Sequence, residues 1–398
     1  MKLRLRRRSA ICLVLVIAAS TATCRSQSDA RQAAFLLEQQ GKTDEAEAAW
    51  AALSKAHPTD PEPFAHLGLI EAHREHYPEA IASYRKAMAL NPAMPRLRFN
   101  LGLAYFKAAD YRQALEQFKP LLKTLPSDSD EANRLVILIG MSHYGLGDFA
   151  ASSPYLKQAA DRDSQNLTLL LTLAHSCLLS RQYQCVLDAF HKIVALNAES
   201  AEADMLVGEA LDEMKDTIGA TREFRAAVAA NPKEPNVHFG LGYLLWTQGQ
   251  THEAAQEFHA ELDNDPQHIQ AMLYLADSEI QMNQTEDARP LLEKVVKINP
   301  ANPMGHLDLG IVYTEAGRNA DALRELKTAA AIEPGNVKAH WRLAQLYRSM
   351  GRKAEANAEL TKSKDINQAA DEGLLKALSR VPHQDSTAQG TSNSPAAK

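Results

Sequence analysis

The chain has 398 residues, 45% of them hydrophobic and only 6% aromatic, with a formal net charge of −6 at pH 7. That is apolar material for two or three ordinary domains or for one long array, and its alanine-rich character favours helix over sheet. Discounting the five leader cations Lys2, Arg4, Arg6, Arg7 and Arg8 takes the charge to −11, which removes the electrostatic basis for nucleic-acid binding.

The first element is a leader, residues 1–23. Its basic segment precedes the apolar run Ile11–Ala19, and the small residues Ser20-Thr21-Ala22-Thr23 follow. That order is the layout of a secretory signal peptide. The apolar run is much shorter than the roughly 20 residues a spanning helix needs. The reading is therefore an exported chain, periplasmic or secreted. Cys24 directly follows the leader, as in a bacterial lipoprotein signal, where that cysteine carries the lipid. Thr21-Ala22-Thr23 departs from the usual leucine, small residue, then glycine or alanine. A membrane-anchored lipoprotein is thus the alternative to a freely exported chain.

From Gln27 onward the sequence repeats with a period of 34 residues. Ten blocks follow: 27–60, 61–94, 95–128, 133–166, 167–200, 201–234, 235–268, 269–302, 303–336 and 337–370. The insertion Ser129–Ala132 separates the third from the fourth and is expected to lengthen a turn or the fourth block's first helix. The eighth position is always Gly or Ala, as in Ala34, Gly102, Gly242 and Ala344. The twentieth is small or Val, as in Ala46, Ser152 and Val186. The twenty-fourth is always large and apolar, from Trp50, Tyr84 and Phe118 to Leu360. Proline fills the thirty-second position at Pro58, Pro92, Pro126, Pro232, Pro266, Pro300 and Pro334.

Apolar residues recur within a block at three- and four-residue spacing, the helical period. Blocks break in the middle at pairs such as Gly41-Lys42, Gly249-Gln250, Gly317-Arg318 and Gly351-Arg352. Each block is therefore predicted to be two helices joined by a tight turn, with small residues at positions eight and twenty letting them approach closely. Proline near the block end sets the start of the next helix. After the tenth block, 371–381 is predicted to form a short amphipathic helix that caps the array. Residues 382–398 are too polar to offset their ordering entropy and are predicted to be disordered.

These columns resemble the tetratricopeptide repeat family, the third block clearly so with Leu101-Gly102, Tyr105, Ala114, Phe118 and Pro126. The resemblance implies an all-α, right-handed superhelical solenoid of antiparallel helix pairs with a concave groove lined by each repeat's first helix. It also implies that block positions two, five, nine, twelve and thirteen face that groove. Those positions hold Phe99, Leu103, Phe106, Ile137, Met141, Tyr144, Leu171 and Leu178 in blocks three to five. Block six turns acidic with Glu202, Glu209, Asp212 and Glu213. Phe239, Tyr243 and Trp246 restore aromatic character in block seven, and Leu273 and Ile280 follow in block eight. Several of the aliphatic positions would pack between neighbouring first helices instead. Chaperone-associated members hold a C-terminal carboxylate with Lys at position five and Asn at position nine. Here neither residue occupies its position.

The expected function is an exported scaffold that binds protein or peptide partners in its groove. The alternative is a lipid-anchored assembly factor or structural part of an envelope complex. Cys177 and Cys185 flank the turn of block five, where the hairpin brings them together; they either pair in an oxidising compartment or stay buried thiols that act as small hydrophobes. No phosphate loop, nucleophile elbow or paired histidine motif is present in the sequence. Neither catalysis, cofactor, metal nor small-molecule substrate is expected.

Overall fold

The computed structural model describes residues 28–196 and 199–378, with side chains to 372. The leader, Cys24 and residues 382–398 lie outside the described residues. Two compact units divide the chain, one ending at Lys215 and the other beginning at Asp216.

The described residues of the first unit form eleven helices: α1 (28–39), α2 (Thr43–Ala56), α3 (Pro61–His73), α4 (Tyr77–Leu90), α5 (Leu97–Lys107), α6 (Tyr111–Leu122), α7 (Asp130–Gly145), α8 (Phe149–Arg162), α9 (Leu167–Leu179), α10 (Tyr183–Ala195) and α11 (Ala201–Glu213). The second unit holds α12 (Thr217–Ala230), α13 (Val237–Thr247), α14 (Thr251–Asn264), α15 (Ile269–Gln281), α16 (Thr285–Ile298), α17 (Pro303–Glu315), α18 (Asn319–Ile332), α19 (Val337–Ser349) and α20 (Lys353–Leu378). Among the described residues there is no strand, so the chain is all-α. Within each unit, from α2 on, helices pack with their sequence neighbours, and alternate helices also meet, as α13 does α15 and α17 does α19.

The helix starts follow from local chemistry. Side chains of Asp60, Asp110, Ser129, Asp148, Asn166, Asn302 and Asn336 accept hydrogen bonds from backbone N–H groups of the first turns they precede. Pro61 and Pro303 begin their helices, where a missing N–H costs nothing. Ser129 caps α7, so the insertion lengthens a helix, not a turn.

The fifteenth block position adopts a left-handed backbone in every block. It is glycine at Gly41, Gly147, Gly249, Gly317 and Gly351, and another residue at Glu75, Ala109, Arg181, Lys215 and Asn283. This conformation reverses the chain between paired helices. Where the helices cross, the small eighth residue meets the large twenty-fourth. A Cβ placed on Gly102 would lie 2.5 Å from the Phe118 ring, and Phe118 is fully buried. The twentieth-position residues are buried throughout, from Ala46 to Ala356.

Three histidines at the fourth block position bind a glutamate at the twenty-third. His238 pairs with Glu257 at 2.6 Å, His306 with Glu325 at 2.7 Å and His340 with Glu359 at 2.6 Å. The Nε2–H of His306 also donates to the Pro300 carbonyl, and that of His340 to the Pro334 carbonyl. Each contact ties the first helix of a pair to the second.

At the C-terminus the structure departs from expectation. Residues 371–378 do not form a separate capping helix, because α20 runs unbroken from Lys353 to Leu378, and 379–381 lie outside the described residues. The sequence Gln368-Ala369-Ala370-Asp371-Glu372 contains no Gly or Pro to stop a helix. No helix among the described residues is long and apolar enough to cross a membrane.

Candidate functional site

In the first unit, α5 presents Phe99, Leu103 and Phe106, all half-buried. Phe99 lies against Phe118 and lines a cavity of about 340 Å³ with Arg96, Asn100, Leu125 and Arg134. Leu103 lines a neighbouring cavity of about 220 Å³ with His73, Tyr77 and Lys107. Phe106 meets the Tyr111 edge at 5.6 Å. Tyr144 on α7 is hydrogen-bonded to His175 on α9, and burial raises its phenol above the ordinary range. Ile137, Met141 and Leu171 are half-buried against the core, while Leu178 is buried in it.

The acidic positions of α11 differ among themselves. Glu209 is exposed yet desolvated enough to raise its carboxyl, Asp212 is half-buried, and Glu213 accepts a hydrogen bond from the Tyr183 hydroxyl. Between α9 and α10, Cys177 and Cys185 are joined by a disulfide, with their Cα atoms 5.9 Å apart. Among the described residues no cluster of His, Cys, Asp and Glu could hold a metal.

The second unit holds the most concentrated site. A carboxylate sets the position of α13: buried Glu261 on α14 accepts the backbone N–H groups of Asn236 and Phe239, each at 3.1 Å. Asn236 has a left-handed backbone and gives no side-chain cap, so Glu261 satisfies the helix start in its place. The helix then displays Phe239, Tyr243 and Trp246, each half-buried, on one face.

Their hub is Tyr274 on α15, which the groove positions did not include. Its ring lies 6.0 Å from Phe239, 5.4 Å from Tyr243 and 5.0 Å from Trp246, the last two edge to face. The His268 ring lies tilted 4.9 Å from Phe239. Burial raises the Tyr274 phenol, with Tyr243 and Asp277 adding to it. The Trp246 Nε1–H donates to Asp277 at 2.8 Å, and Gln281 donates to the same carboxylate oxygen at 2.5 Å. Aromatic faces of this kind, here anchored by the Trp246–Asp277 bond, carry binding energy at protein interfaces.

Leu273 packs as the aliphatic positions were expected to. At 1% exposure it belongs to the core with Met272 and Ala276, because α15 is flanked by α13, α14, α16 and α17 and has little free face. Ile280 is half-buried against the same core. The polar residues at this face escaped the sequence reading altogether. Asp308 on α17 is 1% exposed, with the Lys338 ammonium of α19 3.9 Å from its Oδ1. Burial, reinforced by Asp277, pushes its carboxyl up to about 7. The only available signal was an Asp between His306-Leu307 and Leu309 in an otherwise apolar run.

Comparison with known proteins adds a family and a set of likenesses. Profiles described as TPR repeat and tetratricopeptide repeat match residues 70–108, 218–269, 245–310 and 313–380. The BBSome complex member BBS4 of Bos taurus is 24% identical over 214 residues, 46% of this chain and 41% of its own. The chain thus spans about two fifths of the length of that relative. Among solved structures, MamA 41-end from Desulfovibrio magneticus RS-1 is 20% identical over 44% of this chain and 98% of its own, with a TM-score of 0.41. YrrB, described as a TPR protein with an unusual peptide-binding site, is 19% identical over 48% of this chain and 98% of its own, also at 0.41.

Proposed function

The chain belongs to the tetratricopeptide repeat family, and from that premise we propose that it is an exported scaffold that binds protein or peptide partners through the face of its first helices. The observation that carries this reading is the half-buried cluster of Phe239, Tyr243, Trp246 and Tyr274 on α13 and α15. Four aromatic rings kept partly in water on adjacent first helices are placed for a partner to cover. The scaffold acts by holding partners, without chemistry of its own.

Export is supported by the order of the leader and by the Cys177–Cys185 disulfide, since disulfides persist in oxidising compartments. Cys24 directly after the leader favours a second reading, a lipid-anchored factor in an envelope assembly. The mass of the mature N-terminus separates the two, because a diacylated Cys24 adds two acyl chains that a simple cleaved chain lacks.

The partner experiment is a crosslinking pull-down from the native envelope, comparing wild type with Tyr243→Ala/Trp246→Ala. Phe239 is left in place because it packs on buried Phe258. Specific loss of a partner, with unchanged helicity and melting, is the expected result. Full retention of all partners by the folded variant would remove this face from the function.

A further inference from the structure

Asp308 is the least explained group in the second unit. Its carboxylate is 1% exposed, and its Oδ2 has no hydrogen-bond partner. Buried polar atoms are almost always satisfied, since an unmet one keeps its full desolvation cost. The nearest cation does not meet this need. Lys338 stands 3.9 Å from the other oxygen, beyond hydrogen-bond distance, on a half-exposed side chain. Arg342, on the same helix, leaves its own Nε without a partner and rests 5.2 Å over the Trp341 ring.

The surroundings describe what would satisfy it. The helices α15 and α17 that carry Asp277 and Asp308 pack against each other, and the two negative charges oppose one another. Asp277 in turn receives Trp246 from α13, whose ring meets Tyr274. Buried acid and half-buried aromatic side chains therefore follow one another across three successive first helices. A planar guanidinium matches both parts, because it can bond a carboxylate through two parallel N–H groups and stack on an aromatic face. An ammonium matches only the charge.

Resting on the groove reading above, we propose that this face of the second unit recognises an arginine side chain of the partner. Its guanidinium bonds the free oxygen of Asp308 beside Asp277, displacing the loosely held Lys338, and its stem lies on Trp246 and Tyr274. The free oxygen is then a binding feature, held at a cost to the unbound protein.

The test uses the mature chain and a short capped peptide of alanine and leucine with one central arginine. Twins carry citrulline, the neutral isostere, or glutamate in its place. Calorimetric titration is expected to show the arginine peptide binding at least about tenfold tighter than the citrulline twin, the scale of a buried charge-assisted bond. Asp308→Asn should bring that ratio close to one, leave citrulline binding unchanged and keep or raise the melting temperature. Equal binding of the arginine and citrulline peptides, weakened together by Tyr243→Ala, would leave the groove standing and overturn the arginine pocket. Tighter binding of the glutamate twin overturns it as well, by assigning the site to Lys338 and Arg342. An Asp308→Asn chain that melts lower and keeps the ratio makes Asp308 structural. Failure of every peptide to bind overturns both this pocket and the groove reading of the second unit.

Discussion

At the residue scale, two close approaches decide whether the repeats can pack. Gly102 has no room for a side chain beside Phe118, so Gly102→Val forces the ring or the helices to move. A loss of about 2–3 kcal/mol, typical of overpacking, is expected in denaturant unfolding. The neighbouring case is polar. Glu261→Gln keeps the shape but gives up one strong acceptor for the N–H groups of Asn236 and Phe239. Charge-assisted bonds of this kind are worth roughly 1.5–3 kcal/mol, so a loss of that order is expected. Hydrogen exchange localised to the start of α13 would check that the loss arises there. That Phe239, Tyr243 and Trp246 share one face was legible, because spacing along one helix fixes it. Tyr274, Asp277 and Glu261 were not. Their roles depend on residues of other helices, at sequence separations of 31 for Trp246–Asp277 and 22 for Phe239–Glu261. No local period reports such a meeting.

At the element scale the recurrent device is the turn inside each pair. Five of the ten fifteenth-position residues hold a left-handed backbone without being glycine, at an intrinsic cost of about 1–2 kcal/mol each. Ala109 has φ +59° and no polar side chain to offset that cost. Ala109→Gly is therefore expected to stabilise the chain by about 0.5–1 kcal/mol, the remainder after the added freedom of the unfolded glycine. A matched Ala114→Gly, in the buried middle of α6, should destabilise instead. Thermal melting of the two variants gives opposite signs if the turn geometry governs. The cross-link between α9 and α10 acts on the same kind of pair. Its closed loop is short, with a sequence separation of 8, so chain entropy gives it about 2.5 kcal/mol. Cys177→Ser/Cys185→Ser should lose about that much, and a reductant should lower the melting of wild type while leaving the variant unchanged. The turns with glycine were legible in the sequence. The five without it were recoverable only from register, and the fusion of 371–378 into α20 escaped because an amphipathic segment reads the same whether it starts a helix or continues one.

At the scale of the whole molecule, the fold was legible because ten copies of one pattern average away the local ambiguities that defeat a single helix prediction. The same averaging hides what is particular to one repeat. Asp308 and Glu279 are such particulars, both in the second unit and both raised to about 7, chiefly by burial. Their effect on stability has a definite sign. A carboxyl with a higher pKa in the folded state binds its proton more tightly there, so folding is favoured at low pH and loses ground as pH rises. For Asp308 the window opens near its ordinary value of 3.8 and closes just above 7. Below that window both states are protonated, and above it both are ionised, so the loss is then complete. Full ionisation of Asp308 should cost on the order of 4 kcal/mol, the equivalent of its shift at about 1.4 kcal/mol per unit. Asp308→Asn removes this titration while keeping the shape. The difference in unfolding free energy between variant and wild type should therefore be small at pH 4, widen through pH 5 and 6, and level off above pH 7.5. Glu279 persists in both proteins and cancels from that difference, except where its charge reaches Asp308. A difference that stays flat from pH 4 to 8 would mean that Asp308 ionises in the folded chain at no cost, with a cation close enough to meet the oxygen that the structure leaves free.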